Sequence, residues 1–262
     1  MRNKVKNTIL MLFDLAKNDF KMKYAGSYLG LLWAFIQPII TVSVYWLVFQ
    51  YGLRMGSTND ERPYVLWFVT GIVPWFFFSD ALSAGTNCLK EYDYLVKKVV
   101  FPVRLLPLIK IISSLFVHLV FVVFLIVVYA FYGWAARINV FHLLYYIVCL
   151  SMLSLGIVYV TSAVVVFFKD LGQIITVVLQ IGMWATPILW DYSTVVPQSL
   201  LWIFKLNPMF YIVEGYRNSM LENTGILSHW VQMLYVWLFI AGALFMGNRL
   251  YKKLGPHFAD VL

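Results

Sequence analysis

The run LIKIISSLFVHLVFVVFLIVVYAFY, residues 108–132, decides the class of this protein. It carries one formal charge, Lys110, and a helix of about 20 apolar residues crosses the roughly 30 Å hydrocarbon core of a bilayer. Comparable runs, some interrupted by Pro or Gly, lie at 30–51, 64–84, 141–168, 172–190 and 230–250. Such long runs differ from the alternating segments of about ten residues that build outer-membrane barrels. The pattern predicts an all-α integral membrane protein with six transmembrane helices.

Composition and charge support this class. Hydrophobic residues make up 62% of the chain, charged residues 12%, and the mean hydropathy is +0.80, which exceeds what the core of a soluble domain requires. If the N-terminus is inside, fifteen of the twenty Lys and Arg residues fall in cytoplasmic segments. Because basic residues are retained on the cytoplasmic side, both termini are predicted to be cytoplasmic. The net charge of +8 then reflects topology and anionic lipid headgroups, and nucleic acid is not expected as a partner.

The segment before the first run, within residues 1–29, predicts an amphipathic helix. Its apolar residues recur every three or four positions, with charged residues between them: Ile9, Leu12, Phe13, Ala16, Phe20 and Tyr24. This spacing places one apolar face on the cytoplasmic surface of the membrane. The helix serves either as a simple interfacial anchor or as a surface that holds a partner.

Two of the predicted spans carry polar and aromatic residues along one face. In the first span the stripe consists of Trp33, Gln37, Thr41, Tyr45 and Phe49, and in the fifth of Gln173, Thr176, Gln180 and Trp184. Amides and hydroxyls at membrane depth face other helices or a cavity more often than lipid. The two stripes therefore indicate either hydrogen bonding between helices or the lining of a transport path.

The largest external segment, residues 190–229, contains two short apolar stretches, 196–205 and 208–221, separated by Asn207 and Pro208. Neither stretch is long enough to cross a bilayer, so both are predicted to be re-entrant or interfacial half-helices. Glu214 and Arg217 are three residues apart on the second and are able to pair on one face.

Several absences narrow the function. The chain has no G-x-x-x-x-G-K-[ST] motif for nucleotide, its four histidines show no ligand spacing for a metal, and no paired carboxylates are placed for acid–base chemistry. We therefore expect no catalytic residue, metal site or cofactor in this chain. The function classes that remain are a channel, a carrier, or the transmembrane subunit of a transporter that another chain powers.

The cytoplasmic loop contains EYDYLVKKVVFPVRLLP, residues 91–107. Charged residues of both signs alternate with aromatic and aliphatic ones, and Pro102 and Pro107 end the pattern, which predicts a short amphipathic helix over 91–104. A purely electrostatic lipid-binding patch needs only Lys and Arg. The mixed charges and aromatic residues favour contact with a protein.

Motifs over nearly the whole chain, from Asp19 to the terminal FADVL, resemble the permease subunit of ABC-2 type exporters of cell-surface polysaccharide and polyol phosphate. They are YAGSYLGLLWAFIQPIITVSVYWLVF at 24–49, GIVPWFFFSDAL at 71–82, LVKKVVFPVRLLP at 95–107, FFKDLGQI at 167–174, TPILW at 186–190 and LNPMFYIVEGYRNSML at 206–221. Where family members usually have Arg-Asp before the fifth span, this chain has Lys169-Asp170, which keeps the charge but weakens a bidentate contact.

The resemblance implies one transmembrane domain over residues 1–262, with spans one to five within 30–189 and the sixth span and tail within 230–262. It implies a homodimer with two copies of a separate ATPase subunit that binds ATP and Mg²⁺. The segment at 91–104 then acts as the coupling helix to the ATPase, through Glu91, Tyr92, Tyr94, Lys97, Lys98, Phe101, Pro102 and Arg104. Phe13, Phe20 and Tyr24 belong to an interface helix, Asn207, Pro208, Glu214 and Arg217 to an external gate, and the two stripes face the polymer.

The same resemblance implies transport of a lipid-linked polysaccharide across the bacterial cytoplasmic (inner) membrane. LNPMFYIVEGYRNSM and TPILWDYS look closer to the teichoic-acid branch, so wall teichoic acid is the expected cargo. Export of O-antigen (lipopolysaccharide) or capsular polysaccharide is the alternative. A membrane-embedded glycosyl- or acyltransferase, or a channel independent of any ATPase, is a remote one.

Overall fold

The computed structural model describes residues 2–52, 63–97, 102–222 and 224–262. Within these ranges every regular element is helical and no strand occurs. The helices of ten or more residues are α1 (Arg2–Lys23), α2 (Trp33–Leu47), α3 (Tyr64–Thr86), α4 (Leu106–Phe131), α5 (Val140–Val165), α6 (Leu171–Ala185), α7 (Pro208–Arg217) and α8 (Trp230–Leu254). The predicted all-helical class is confirmed for this part of the chain.

Five helical stretches are long and apolar enough to cross a membrane. They are Gly30–Gly52, Tyr64–Thr86, Val103–Phe131, Val140–Val165 and Ile226–Val261. They coincide with five of the six predicted spans, and the exception is the fifth. There, α6 has 15 residues, which at 1.5 Å per residue is about 22 Å, less than a bilayer core. It ends where Pro187 forces Thr186 into an extended conformation, with φ −90° and ψ 131°.

Helix α3 lies at the centre of the bundle and packs against α4, α5, α6, α7 and α2. Most of its residues are apolar, and buried ones such as Leu66, Ile72 and Leu82 occur along its whole length, as expected of a helix surrounded by others. By contrast α2, the first predicted span, is largely uncovered, and Ala34 is its one buried residue. The first span is therefore attached to one side of the bundle.

Helices α5 and α8 approach each other closely through small residues. A Cβ added at Gly247 of α8 would lie 2.5 Å from the Cβ of Tyr159 on α5, and one added at Gly156 would lie 3.1 Å from the Cβ of Ala243. Small residues at such crossings allow the dense packing that holds helices together in lipid, where no hydrophobic force drives their association.

The predicted N-terminal amphipathic helix is present as α1. Leu12 and Ala16 are buried in a second core cluster, separate from the main bundle core, together with Cys88 and Leu89. Residues at or just beyond the ends of α5 and α8 also belong to this cluster, namely Ala163, Val166, Tyr251 and Phe258. The apolar face of α1 therefore packs on its own chain.

The predicted continuous helix over 91–104 requires correction. The chain instead forms two single-turn helices, Cys88–Glu91 and Asp93–Val96, and a 3₁₀ turn at Val103–Leu105. The break falls at Tyr92, whose φ of −108° and ψ of 35° are not helical and whose ring is buried in the second core cluster. The helix is interrupted at the residue whose ring is buried in this cluster.

The two predicted external half-helices differ in burial. Leu201–Lys205, described in full, buries none of its residues, whereas eight of the ten residues of α7 are buried against the bundle. The second half-helix is thus an integral part of the core.

Candidate functional site

A cavity of about 380 Å³ lies between α2, α3 and α4. Trp33, Gln37 and Thr41, the first three residues of the first stripe, line it. Further along, Tyr45 packs edge-on to Phe68 at 6.4 Å between ring centres, and Phe49 is buried in the main core. The predicted stripe is therefore divided, and its second part, Tyr45 and Phe49, packs within the chain.

Two oppositely charged residues stand at one end of this cavity. Lys23, the last residue of α1, forms an ion pair with Asp80 of α3, and both are about one third exposed. Ser114 of α4 donates a 2.7 Å hydrogen bond to the other oxygen of Asp80. Burial raises the pKa of the neighbouring Tyr24. The end of α1 is thus joined to both α3 and α4.

The second stripe lies on an uncovered face of α6. Gln173, Thr176, Gln180 and Trp184 are all exposed in the single chain. Within α6, which is described throughout, Ile175 and Leu179 alone are buried. The amides and the indole of this face are therefore presented outward from the bundle, together with apolar neighbours such as Ile181.

In the predicted coupling segment Tyr92 is buried, whereas Glu91 and Tyr94 are exposed. The hydroxyl of Tyr92 donates to Asp19 at 2.6 Å, and Glu91 pairs with Lys110. Burial, reinforced by the hydrogen bond and the negative charge of Asp19, raises the pKa of Tyr92, so this hydroxyl keeps its proton.

The remaining residues of that segment have separate environments. Lys97 pairs with Asp93 at 3.4 Å on the surface, and Pro102 is exposed. Arg104 donates to Asn248 of α8 at 3.4 Å. Two further predicted coupling residues, Lys98 and Phe101, lie outside the described residues. Of the predicted interface-helix residues, Phe13 is exposed and Phe20 packs edge-on to Phe116 at 6.1 Å between ring centres.

On the opposite side of the bundle, Arg217 is buried, with 2% of its side chain exposed. One terminal nitrogen donates to Glu214 at 2.6 Å and to the carbonyl of Pro187 at 2.8 Å, and the other donates to the carbonyl of Ile188 at 3.1 Å. The predicted pairing of Glu214 with Arg217 is confirmed. These hydrogen bonds join α7 to the turn after α6 through the guanidinium of Arg217.

Asn207 and Pro208 start α7 and connect it to the end of α6. The Asn207 side-chain oxygen accepts from the Met209 amide at 3.0 Å, and its nitrogen donates to the Thr186 hydroxyl at 2.8 Å. Pro208 occupies the first helical turn, where its missing N–H has no intrahelical partner to lose. Of the two predicted gate residues, Asn207 is thus the N-cap of α7 and Pro208 is its first residue.

The sequence of the chain matches a known family and several known proteins. Residues 12–221 match the family described as ABC-2 type transporter. The chain belongs to this family. It is similar over its whole length to an O-antigen export system permease protein RfbA of Klebsiella pneumoniae, at 26% identity over 272 residues covering 100% of both chains. It is also 29% identical to the RfbA of Myxococcus xanthus over 216 residues, covering 81% of each chain.

Membership of the ABC-2 type transporter family has direct consequences. The chain is a transport subunit and not an enzyme by itself, and its ATP-hydrolysing partner is an ABC ATPase. The several apolar helices fit a location in the bacterial inner membrane.

Sequence reasoning assigned no role to Asp19 or Lys110, although both are buried at the base of the bundle. For each of these two residues, the sequence contains a pattern that predicts burial. Lys110 is the one charge in the apolar run 108–132, and Asp19 continues the spacing of Leu12 and Ala16, so an acid stands on the apolar face of α1. A charge on an apolar face calls for a buried counter-charge.

Proposed function

We propose that two copies of this chain and two copies of an ABC ATPase form an exporter that moves a lipid-linked polysaccharide of the O-antigen type out of the cytoplasm. The observation that carries this proposal is the match to the ABC-2 type transporter family over 12–221, joined to relatives of the same length that are named as O-antigen export permeases. These names favour O-antigen over the wall teichoic acid expected from the sequence.

In this proposal the chain crosses the membrane six times, and both of its termini lie in the cytoplasm. Leu12 of α1, Ala163 near the end of α5 and Phe258 near the C-terminus share the second core cluster, which supports one side for all three. Since α8 crosses the membrane once to return to that side, residues 171–229 must make one net crossing. In this proposal α6, extended by the turn at Pro187 and by the inserted half-helix α7, supplies it.

The proposed path for the polymer runs along the exposed face of α6 and the cytoplasmic half of α2. Gln173, Gln180 and Trp184 on one element, and Trp33 and Gln37 on the other, offer aromatic surfaces and neutral amides. Such groups contact sugar rings and hydroxyls weakly and without a fixed register, so a repeating chain is able to slide. The burial of Phe49 argues against a contact between that ring and the polymer.

The proposed surface for the ATPase combines α1 with the loop helices Cys88–Glu91 and Asp93–Val96. Phe13, Tyr94 and Lys97 are exposed there, and they supply the aromatic and charged contacts of a docking surface. ATP and Mg²⁺ bind to the partner, whose closure moves this surface as a rigid body.

The test is isolation of the tagged chain from its native membrane with mass spectrometry of the associated proteins and glycans. Recovery of a P-loop ATPase together with a lipid-linked O-antigen glycan would support the proposal. Recovery of a glycerol- or ribitol-phosphate polymer would return the cargo to teichoic acid. The absence of any ATPase, with the chain itself recovered intact, would contradict the exporter.

A further inference from the structure

One ammonium group joins three segments at the base of the bundle. Lys110, in the second turn of α4, donates to the carboxylate of Asp19 on α1 at 2.7 Å and also pairs with Glu91 of the cytoplasmic loop. The Tyr92 ring lies 5.1 Å from the ammonium nitrogen, and its hydroxyl donates to the same oxygen of Asp19 at 2.6 Å. We name these four residues the Lys110 junction.

The junction is buried on one side and open on the other. Asp19 is 5% exposed and Lys110 is 8% exposed, whereas Glu91 is 48% exposed. Hydrogen bonds between ionised groups strengthen where water is excluded, so the Asp19 contact is the firm one and the Glu91 contact is the releasable one. The arrangement ties α1 closely to α4 and leaves the loop a contact that a partner is able to reach.

The surroundings explain what the junction adds. Tyr92 of the junction belongs to the second core cluster, together with Leu12, Ala16, Leu89 and Ile109. Apolar contacts have no preferred direction and permit one surface to slide over another. A buried ion pair with a shared hydrogen bond has one geometry, and breaking it leaves a charge uncompensated in an apolar site. The junction therefore fixes the position of α1 and the loop relative to α4.

A second ion pair of opposite polarity stands one turn further along α1. Lys23 pairs with Asp80 of α3, so α1 contributes an acid to α4 and, four residues later, a base to α3. A shift of α1 along its axis would bring like charges toward each other. The two pairs together define one register for the last turn of α1.

We propose that the Lys110 junction is the mechanical joint that makes α1, the loop helices and α4 move as one body when the ATPase moves. Lys110 and Asp19 are positioning residues: they touch neither polymer nor nucleotide, and they act by transmitting displacement of the docking surface to the membrane helix. This inference rests on the proposed function. It adds the specific residues through which movement reaches α4.

The experiment measures polymer exported per ATP hydrolysed in proteoliposomes that contain the full complex. For Lys110→Met we expect assembly with the ATPase and ATP hydrolysis to persist while this ratio falls about tenfold, because the docking surface moves without α4. Lys110→Arg keeps the charge and the two carboxylate contacts and should restore the ratio. Lys253→Met, which removes an exposed cation of α8 from the same side, is the matched control and should leave the ratio unchanged.

A milder pair of variants makes the test independent of assembly. Asp19→Asn removes the charge but retains an oxygen that accepts from Tyr92, and Tyr92→Phe removes the hydroxyl alone. If Lys110→Met does not assemble, these two variants decide the question by the same ratio, and each should lower it.

Three results would overturn the inference. Parallel losses of hydrolysis and export at an unchanged ratio would assign the junction a purely structural role. Loss of ATPase binding in Asp19→Asn and Tyr92→Phe, as well as in Lys110→Met, would make it part of the docking surface. An unchanged ratio in all of them would remove it from transmission. If the unsubstituted complex exports nothing, the proposed function fails, and that outcome is separate because it precedes any comparison of variants.

Discussion

The guanidinium carbon of Arg217 lies 3.5 Å from the centre of the Trp67 ring, so a cation of α7 is stacked on an aromatic residue of the central helix α3. The guanidinium does not reach the surface. It donates hydrogen bonds to Glu214, Pro187 and Ile188 within the chain. A Cβ added at Gly71 of α3 would lie 2.7 Å from this guanidinium. Arg217 therefore links α7 to two other elements, the central helix α3 and the turn after α6.

The first prediction concerns replacement of this residue by lysine. Arg217→Lys keeps the positive charge but loses the planar stacking on Trp67 and the fork that serves two carbonyls and a carboxylate at once. Leaving buried polar groups unpaired at such a site costs about 3 kcal/mol. We expect a clear fall in the thermal unfolding midpoint of the purified chain in detergent. Arg249→Lys, at an exposed arginine over Phe245, is the control and should change the midpoint little.

The second prediction concerns the closest glycine contact in α7. A Cβ at Gly215 would lie 2.1 Å from a ring carbon of Tyr146, and this ring is buried. Gly215→Ala must displace the ring or the helix, and overpacking of this kind costs about 1–3 kcal/mol. The matched control is Gly242→Ala in α8, where no atom lies within 4 Å of the added Cβ. There alanine should be neutral or stabilising, because it favours a helix over glycine by about 1 kcal/mol.

Gly215→Ala should therefore lower the unfolding midpoint, whereas Gly242→Ala should leave it unchanged or raise it. Equal shifts would mean that α7 does not pack against Tyr146 as the structure has it.

The third prediction concerns the cap of α7. Asn207→Ala removes the oxygen that accepts from the Met209 amide and the nitrogen that donates to Thr186. Loss of an N-cap costs about 1 kcal/mol, and the lost link to Thr186 adds to it. Asn207→Asp keeps the capping oxygen and loses only the donor, so its unfolding midpoint should lie between those of the alanine variant and the unsubstituted chain. A midpoint for the aspartate variant equal to that of the alanine variant would assign the whole effect to the Thr186 contact.

The apolar runs predicted the helical membrane class and five of the spanning helices because lipid imposes a minimum length on any crossing segment. They did not predict the early end of α6. That end depends on Pro187 and on the buried turn that Arg217 then satisfies, and Arg217 stands thirty residues later in the chain. A local pattern carries no information about such a distant partner.

The candidate site was predicted with the same limits. The spacing of Glu214 and Arg217 correctly indicated a pair, because neighbours on a helix are fixed by its geometry. The stripe from Trp33 to Phe49 was treated as one face, yet Phe49 is buried and Trp33 lines a cavity. Which helix covers which part of a stripe is decided by tertiary packing. The spacing of residues therefore predicts that a stripe exists, but it does not predict which helices pack against each part of it.

The last prediction separates the two halves of that stripe. Trp33 is 43% exposed at the cavity, whereas Tyr45 packs edge-on to the buried Phe68. Tyr45→Ala should lower the unfolding midpoint, because an aromatic pair contributes about 0.5–1.5 kcal/mol beyond the area that it buries. Trp33→Ala should leave the midpoint nearly unchanged and slow export, since its ring is free to contact a sugar. The measurements are the unfolding midpoint in detergent and the initial rate of ATP-dependent export in proteoliposomes.

Trp230→Ala provides the control for this comparison. Trp230 is an exposed tryptophan at the start of α8, away from the cavity that Trp33 lines, so its removal should alter neither the unfolding midpoint nor the export rate. If Trp33→Ala and Trp230→Ala export at the same rate as the unsubstituted chain, the Trp33 ring belongs to packing between helices and the polymer path must follow the exposed face of α6. If Trp33→Ala alone is slow and stable, the cavity between α2, α3 and α4 opens onto that path.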